Sequence, residues 1–444
     1  MYSKEIEQVL KKGKITPGNY VHVANPNFSS DGVLIPRPNF GDESILVIKL
    51  ANGYNVGIRY DAKTKIIKLN KVAAKFSFPE NKLKFDKSKP KVTLITTGGT
   101  IGSKVDYRTG GVHMLLKPEE LLYDVPELSR IANVEVNNLF SIASEDMGYK
   151  QWQDLAKGVE SAFENGSRGV VIFTGTDTMH YISSALSFML ERLNGPVVIT
   201  GAQRSSDRGS SDAFMNMICA FHAAAESDVA EVAVCMHTGS SDDTCSLMRG
   251  TKVRKMHTSR RDAFKPINAR PIAKISVEGR IDYISEYKKI DAGKGRKVDL
   301  MTGFEPKVAL VKFYPNSDPE ILDYYVEKEY KGIIIEGTGL GHMAVNPTEA
   351  KYSWIAPLKK AVGKGVVVGI TSQCLFGRVH TKVYSNLRII SNTGAIYCED
   401  MLPEVALVKL GFLLGNYKTE EVKRMLNRNI SGEITARTEV DWFV

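Results

Sequence analysis

The sequence predicts an α/β protein: a small N-terminal β-barrel, then a two-domain α/β body whose sheets are mostly parallel. Three observations carry this. From about residue 91, β-branched apolar runs alternate with segments of helical period. The alternation gives way to a polar, loop-rich stretch over 240–300 and restarts near 304. The first 85 residues instead carry short alternating strands between Gly, Pro and Asn turns. Alternation of strand and helix lays strands side by side in parallel, with helices over both faces.

Residues 1–85 open with a charged, helix-like start. Strands are expected over 20–23, 31–35, 44–50 and 55–58, punctuated by Thr16-Pro17-Gly18-Asn19, Asn25-Pro26-Asn27 and Asn52-Gly53. A lysine-rich stretch follows, and a linker is placed at 86–91. The first α/β unit spans 92–300. Its helix over 151–165 sets Trp152, Leu155, Ala156, Val159 and Phe163 at helical spacing. Strands at 169–173, 196–200 and 231–235 alternate with helices at 179–193 and 212–226. The second unit, 304–415, repeats the pattern with strands at 308–311, 332–335 and 365–370 and helices at 319–330 and 403–414. The tail, 416–444, ends in Trp442-Phe443-Val444, apolar residues expected to dock on another domain or a partner.

Composition narrows the function classes. With 444 residues, 43% hydrophobic and 25% charged, the chain matches a globular protein with sizeable cores. It contains no apolar run of about 18 residues and no signal-peptide core at its start, so a cytoplasmic protein without membrane attachment is expected. Five scattered cysteines without C-x-x-C spacing read as mostly buried free thiols, and nothing has the spacing of a zinc site. The net charge of +9 gathers between Lys63 and Lys91 and again over Arg249, Lys252, Arg254, Lys255, Arg260, Arg261 and Lys265. No nucleic-acid motif accompanies these clusters, which read as solvated surface. His180, His222, His237 and His342 are expected as satisfied, buried or half-buried histidines, and Cys374 as a structural thiol.

Chemistry points to two strand ends. The run Val92 to Thr97 breaks into Gly98-Gly99 and presents Thr100; the run ending at Phe173 breaks into Thr174-Gly175-Thr176-Asp177-Thr178. Strand ends of an open α/β sheet face a ligand crevice, and two such turns in adjacent units would converge there. Taken singly, Thr176-Asp177 fits helix capping equally well.

Together with their neighbours these segments resemble the asparaginase/glutaminase type I family. Thr97-Gly98-Gly99-Thr100-Ile101-Gly102 is similar to its first signature and Thr174-Gly175-Thr176-Asp177-Thr178 to its second. The resemblance implies a nucleophile at Thr100 and a catalytic set completed by Thr176, Asp177 and Lys255, the last within Val253-Arg254-Lys255-Met256. It implies substrate contacts from Tyr107 on an active-site loop, and from Ser144 and Glu145 in Ser144-Glu145-Asp146-Met147. Glu145 stands where other members carry glutamine, and the preference between glutamine and asparagine stays open. The residue types suit the reaction. An amide is a poor electrophile, so an acyl-enzyme divides one hard step into two. A threonine hydroxyl needs a base, which Tyr107 beside Thr100 and Lys255 oriented by Asp177 could provide. Lysine serves only if burial or a nearby cation lowers its pKa. Backbone N–H groups at the two turns suit an oxyanion.

About 90 residues precede the first family strand, an arrangement that resembles the D-type subunits of the archaeal glutamyl-tRNA(Gln) amidotransferases. This implies an ammonia-supplying polypeptide working with the E-type subunit of the amidotransferase, a kinase and tRNA-binding partner through which Glu-tRNA(Gln) is mainly contacted. It implies no cofactor bound by this chain, with ATP and Mg²⁺ used by the partner; no Walker-type G-x-x-x-x-G-K-[ST] occurs here. It further implies a homodimer forming a heterotetramer with two partner subunits. A stand-alone L-asparaginase and a non-catalytic nucleic-acid binder are the alternatives; the Thr100, Thr176, Asp177, Lys255 set argues against the second.

Overall fold

The computed structural model describes residues 2–35, 42–50, 55–69, 86–98, 103–105, 112–114, 125, 127–204, 210–295 and 298–442. Helix α1 (Lys4–Lys12) is capped by Ser3 and buries Ile6 and Leu10. It packs on five strands, β1 (Tyr20–Asn25), β2 (Phe28–Leu34), β3 (Ile45–Lys49), β4 (Asn55–Arg59) and β5 (Lys65–Lys68). All pairings are antiparallel, in the order β4-β3-β2-β1-β5. Val21, Val23, Leu46 and Ile48 alternate into the core, as period-2 patterning requires. A Cβ at Gly32 would lie 2.6 Å from the Lys49 carbonyl oxygen, so no side chain fits between these strands. The expected barrel appears here as a five-stranded antiparallel sheet: among the described residues β4 and β5 are its edges.

The main sheet has eight strands: β6 (Lys91–Thr96), β7 (Asn133–Asn138), β8 (Gly169–Phe173), β9 (Val197–Thr200), β10 (Val232–His237), β11 (Thr244–Arg249), β14 (Ala273–Ser276) and β15 (Ile281–Tyr283). A separate hairpin pairs β12 (Val253–Lys255) with β13 (Phe264–Pro266). The sheet order is β15-β14-β11-β10-β9-β8-β6-β7. Pairings from β7 to β10 are parallel and those from β10 to β15 antiparallel. Helices α2 (Tyr149–Glu164), α3 (Met179–Met189) and α4 (Ala213–Glu226) link the parallel strands. β8 is buried throughout because helices cover both its faces.

Two differences from the sequence reading have local causes. The stretch over 240–300 holds short antiparallel strands instead of loops, their outer residues polar because they lie towards a sheet edge. Helix α3 stops at Met189 because Leu190–Glu191 pairs with Asp299–Leu300 as a two-stranded ribbon.

The second unit is a four-stranded parallel sheet in chain order: β16 (Val308–Lys312), β17 (Gly332–Gly337), β18 (Val367–Ser372) and β19 (Ile396–Tyr397). Helices α5 (Ile321–Glu327), α6 (Ile355–Gly363), α7 (Ser385–Ser391) and α8 (Pro403–Asn416) accompany it. α8 starts with proline at its first turn, where the missing N–H costs nothing. One hydrophobic core runs through both units: Phe188 of α3 stacks on Phe412 of α8 at 5.8 Å, with Val232, Ile334, Val405 and Leu410 in the same cluster. The tail folds back onto the body through helix α9 (Thr419–Met425) and a buried Glu433. Among the described residues, no helix is long and apolar enough to cross a membrane.

Candidate active site

The parallel register between β6 and β8 sets Thr96 opposite Phe173, so both strands end side by side. Beyond them, Thr97 is fully buried and donates from its backbone N–H to the Phe173 carbonyl at 3.1 Å. Gly98 then turns with φ of +101°, a conformation L side chains rarely adopt. Thr100 and Tyr107 lie outside the described residues.

The second turn joins β8 to α3. Thr176 is buried, and Lys255, the last residue of β12, reaches it from the hairpin. Lys255 Nζ lies 2.9 Å from Thr176 Oγ1 and 2.7 Å from Asp177 Oδ1. The lysine side chain is 11% exposed and the aspartate 66%, so the pair has one face towards solvent. A lysine held between a hydroxyl and a carboxylate can move a proton: neutral, it accepts the hydroxyl proton while the carboxylate stabilises the ammonium that forms.

Ser144 forms the opposite wall. It is buried in a short 3₁₀ turn, Ser144–Asp146, and its carbonyl accepts from Thr178 Oγ1 at 2.6 Å. Its own hydroxyl donates to the exposed Glu145 at 3.3 Å. A Cβ at Gly175 would stand 2.9 Å from Ser144 Oγ, so the glycine allows the two turns to touch. The structure thus brings together Ser144, Thr176, Asp177 and Lys255, with Glu145 on the solvent side of Ser144.

Several neighbours carried no local signal in the sequence. Gly201, just past β9, packs on Thr176: an added Cβ would be 3.1 Å from Thr176 Cγ2 and 2.5 Å from the Thr174 carbonyl. Its carbonyl accepts from Asn216 Nδ2 at 2.9 Å, and Asn216 is held in turn by Asp212 and His237. Arg254 points to Glu404 on α8, Nη1 to Oε2 at 2.9 Å. Burial pushes the Glu404 carboxyl up, against the pull of Arg254.

The histidines divide. His222 pairs with Glu226, and His237 with Asn216 and Asp242, as satisfied histidines should. His342 is half-buried and lies near the Tyr384 ring. His180 departs from that expectation. Among the described residues its Nδ1 has no hydrogen-bond partner, and burial, followed by the charges of Arg254 and Lys255, lowers its pKa to about 4. Cys374 also departs from the expected structural thiol: it is exposed, just past the end of β18. The other four cysteines are buried and free. Among the described residues no group of three or more His, Cys, Asp or Glu is arranged to hold a metal.

Comparison with known proteins places this geometry. Residues 91–289 match the family described as Asparaginase, N-terminal, and 307–426 the Glutaminase/Asparaginase C-terminal domain. Residues 15–69 match the GatD N-terminal domain. GatD of Pyrococcus furiosus, the D-type polypeptide of its glutamyl-tRNA(Gln) amidotransferase, is 46% identical, covering 99% of each chain. The chain belongs to the GatD family of glutamyl-tRNA(Gln) amidotransferases. The corresponding protein of Methanothermobacter thermautotrophicus is 42% identical over 100% of this chain and 99% of its own. Among solved structures, the thermostable L-asparaginase from Thermococcus kodakarensis superposes with a TM-score of 0.68 at 28% identity. L-asparaginase I from Vibrio cholerae gives 0.66 at 30%. Each covers 78% of this chain and 99% of its own length. This member of the GatD family therefore has an asparaginase-like two-domain α/β body, and it is the amidohydrolase-type component of an amidotransferase.

Proposed function

We infer that this chain releases ammonia from the side-chain amide of glutamine or asparagine and hands it to the E-type kinase partner, which amidates Glu-tRNA(Gln). The observation that supports this most directly is Lys255 bridging Thr176 and Asp177 at 2.9 and 2.7 Å, in a chain similar end to end to GatD proteins. Thr100 Oγ attacks the amide carbon, and its proton passes by way of Tyr107 to the leaving nitrogen. The C–N bond breaks, ammonia departs and an ester remains on Thr100. Lys255, with Thr176 and Asp177, then takes a proton from water; the hydroxide attacks the ester carbon, the ester C–O bond breaks to free the carboxylic acid, and the proton taken by Lys255 is returned to Thr100 Oγ, restoring the hydroxyl. Ser144, Glu145 and Asp177 hold the α-carboxylate and α-ammonium of the donor.

In this reading the chain binds no cofactor, and ATP and Mg²⁺ act in the kinase partner. Ammonia needs a sheltered path between the two proteins, since bulk water would protonate it. The assembly is a homodimer joined by two copies of the partner in the cytoplasm. The decisive experiment measures ammonia from glutamine and from asparagine, first with the chain alone, then with the kinase partner and Glu-tRNA(Gln). Slow release that rises on adding both supports the assignment. Fast release indifferent to both additions would make the chain a self-sufficient asparaginase.

A further inference from the structure

Glu404 sits behind the Lys255–Thr176 pair and touches both of the elements that deliver it. It belongs to the first turn of α8, in the second α/β unit, and is 2% exposed. One carboxylate oxygen, Oε2, accepts from Arg254, the residue immediately before Lys255 on β12. The other, Oε1, has no hydrogen-bond partner among the described residues and faces His180 Nε2 at 3.9 Å. His180 is the second residue of α3, whose start follows directly from the Thr176–Asp177–Thr178 turn. A single buried carboxylate thus abuts the strand that carries Lys255 and the helix that fixes Thr176. A buried carboxylate with an unused oxygen is costly to keep for packing alone.

We propose that Glu404 is a positioning residue for ammonia release, holding the Lys255 strand through Arg254 and setting its approach to Thr176 from the second α/β unit. The proposal rests on the assignment of Lys255 to the chemistry. Near the pair, the charged and titratable groups are Asp177 on the β8–α3 turn, and His180 and Tyr181 on α3. Arg254 lies on β12, Glu336 on β17 and Glu404 on α8. Of these, Glu404 is the anion that offsets Arg254. Without that negative charge, Arg254 faces the Lys255 ammonium with less compensation, which favours the neutral amine over the ammonium.

The test compares Glu404→Gln, Arg254→Lys and Lys255→Met with the parent chain, in the complete assembly with the kinase partner. Ammonia release is followed across pH and folding by thermal melting. Glu404→Gln is expected to lower kcat about 10²-fold through misplacement of the pair, with KM little changed. The acid limb of its kcat/KM profile is expected at lower pH. Arg254→Lys, which keeps the charge but loses the planar fork, is expected to retain the parent's acid limb. An acid limb unmoved in Glu404→Gln, with any loss of rate tracking loss of folded protein, would overturn the proposal and leave Glu404 a packing residue. If Lys255→Met itself retains full release, the underlying assignment of Lys255 fails instead.

Discussion

Lys255 and Thr176 are 79 residues apart in sequence and 2.9 Å apart in space. Neither element would hold that distance alone: the lysine ends a three-residue strand, and the threonine lies in a turn between β8 and α3. Their meeting depends on the hairpin seating against the turn that leads into α3, and the first expectations follow from it.

Thr176→Val keeps the shape of the side chain and removes the oxygen that Lys255 engages. Ammonia release should fall by about 10²- to 10⁴-fold, the usual scale for losing a proton-transfer group, with an unchanged circular dichroism spectrum. Thr100→Val, which removes the proposed nucleophile, should abolish release and likewise leave the fold intact. Near-normal rates in either variant would remove that threonine from the mechanism.

Gly175→Ala tests the contact between the two turns. Its methyl group would meet Ser144 Cβ and Oγ, each at 2.9 Å, and push the 3₁₀ turn outward. Overpacking of this kind costs about 1–3 kcal/mol. Because Ser144 and Glu145 are assigned to donor binding, KM for the amide should rise more than kcat falls, a split that steady-state kinetics reads directly.

Acid sensitivity should carry the mark of His180. Burial lowers its pKa from 6.5 to about 4, so between those values the unfolded chain binds a proton that the folded chain refuses. Stability therefore falls as pH drops through that window, by up to about 3 kcal/mol. Glu404, whose carboxyl is raised by burial, works in the opposite direction. Comparing urea unfolding at pH 7 and pH 4.5 for the parent and His180→Gln separates the two, and the variant should lose less stability on acidification.

Lys409 and Glu433 form an ion pair of 2.6 Å with both side chains fully buried, tying α8 to the tail. Glu433 also accepts from the backbone N–H groups of Ile430 and Ser431. Glu433→Ala leaves the lysine charge buried without its partner and should destabilise the chain by about 3–5 kcal/mol. Replacing both residues by apolar ones of similar size should cost clearly less in the same denaturant titration.

Much of the frame was readable from periodicity, and the reasons for the exceptions are specific. β8 and β10 stand out because residues buried on both faces leave uninterrupted apolar runs. β12 and β13 do not, since three-residue strands such as Val253–Lys255 have too few positions to show alternation. Thr176, Asp177 and Lys255 were legible through motif resemblance, because a site built on strand ends keeps its residues in short runs. His180, Arg254 and Glu404 were not: Arg254 and Glu404 are 150 residues apart, and no local pattern marks a pair made only by tertiary packing. Gly201 escaped for the same reason, its role being visible only once Thr176 lies against it.

The core that threads from Phe188 to Phe412 has a consequence for how such a chain can diversify. Both α/β units contribute side chains to this shared interior, so neither can be inherited, exchanged or expressed by itself without baring apolar surface to water. Chimeras between relatives should succeed when both units come from the same parent and fail when the seam falls between them. The lineage can therefore vary what is appended to this body far more freely than it can recombine the body itself.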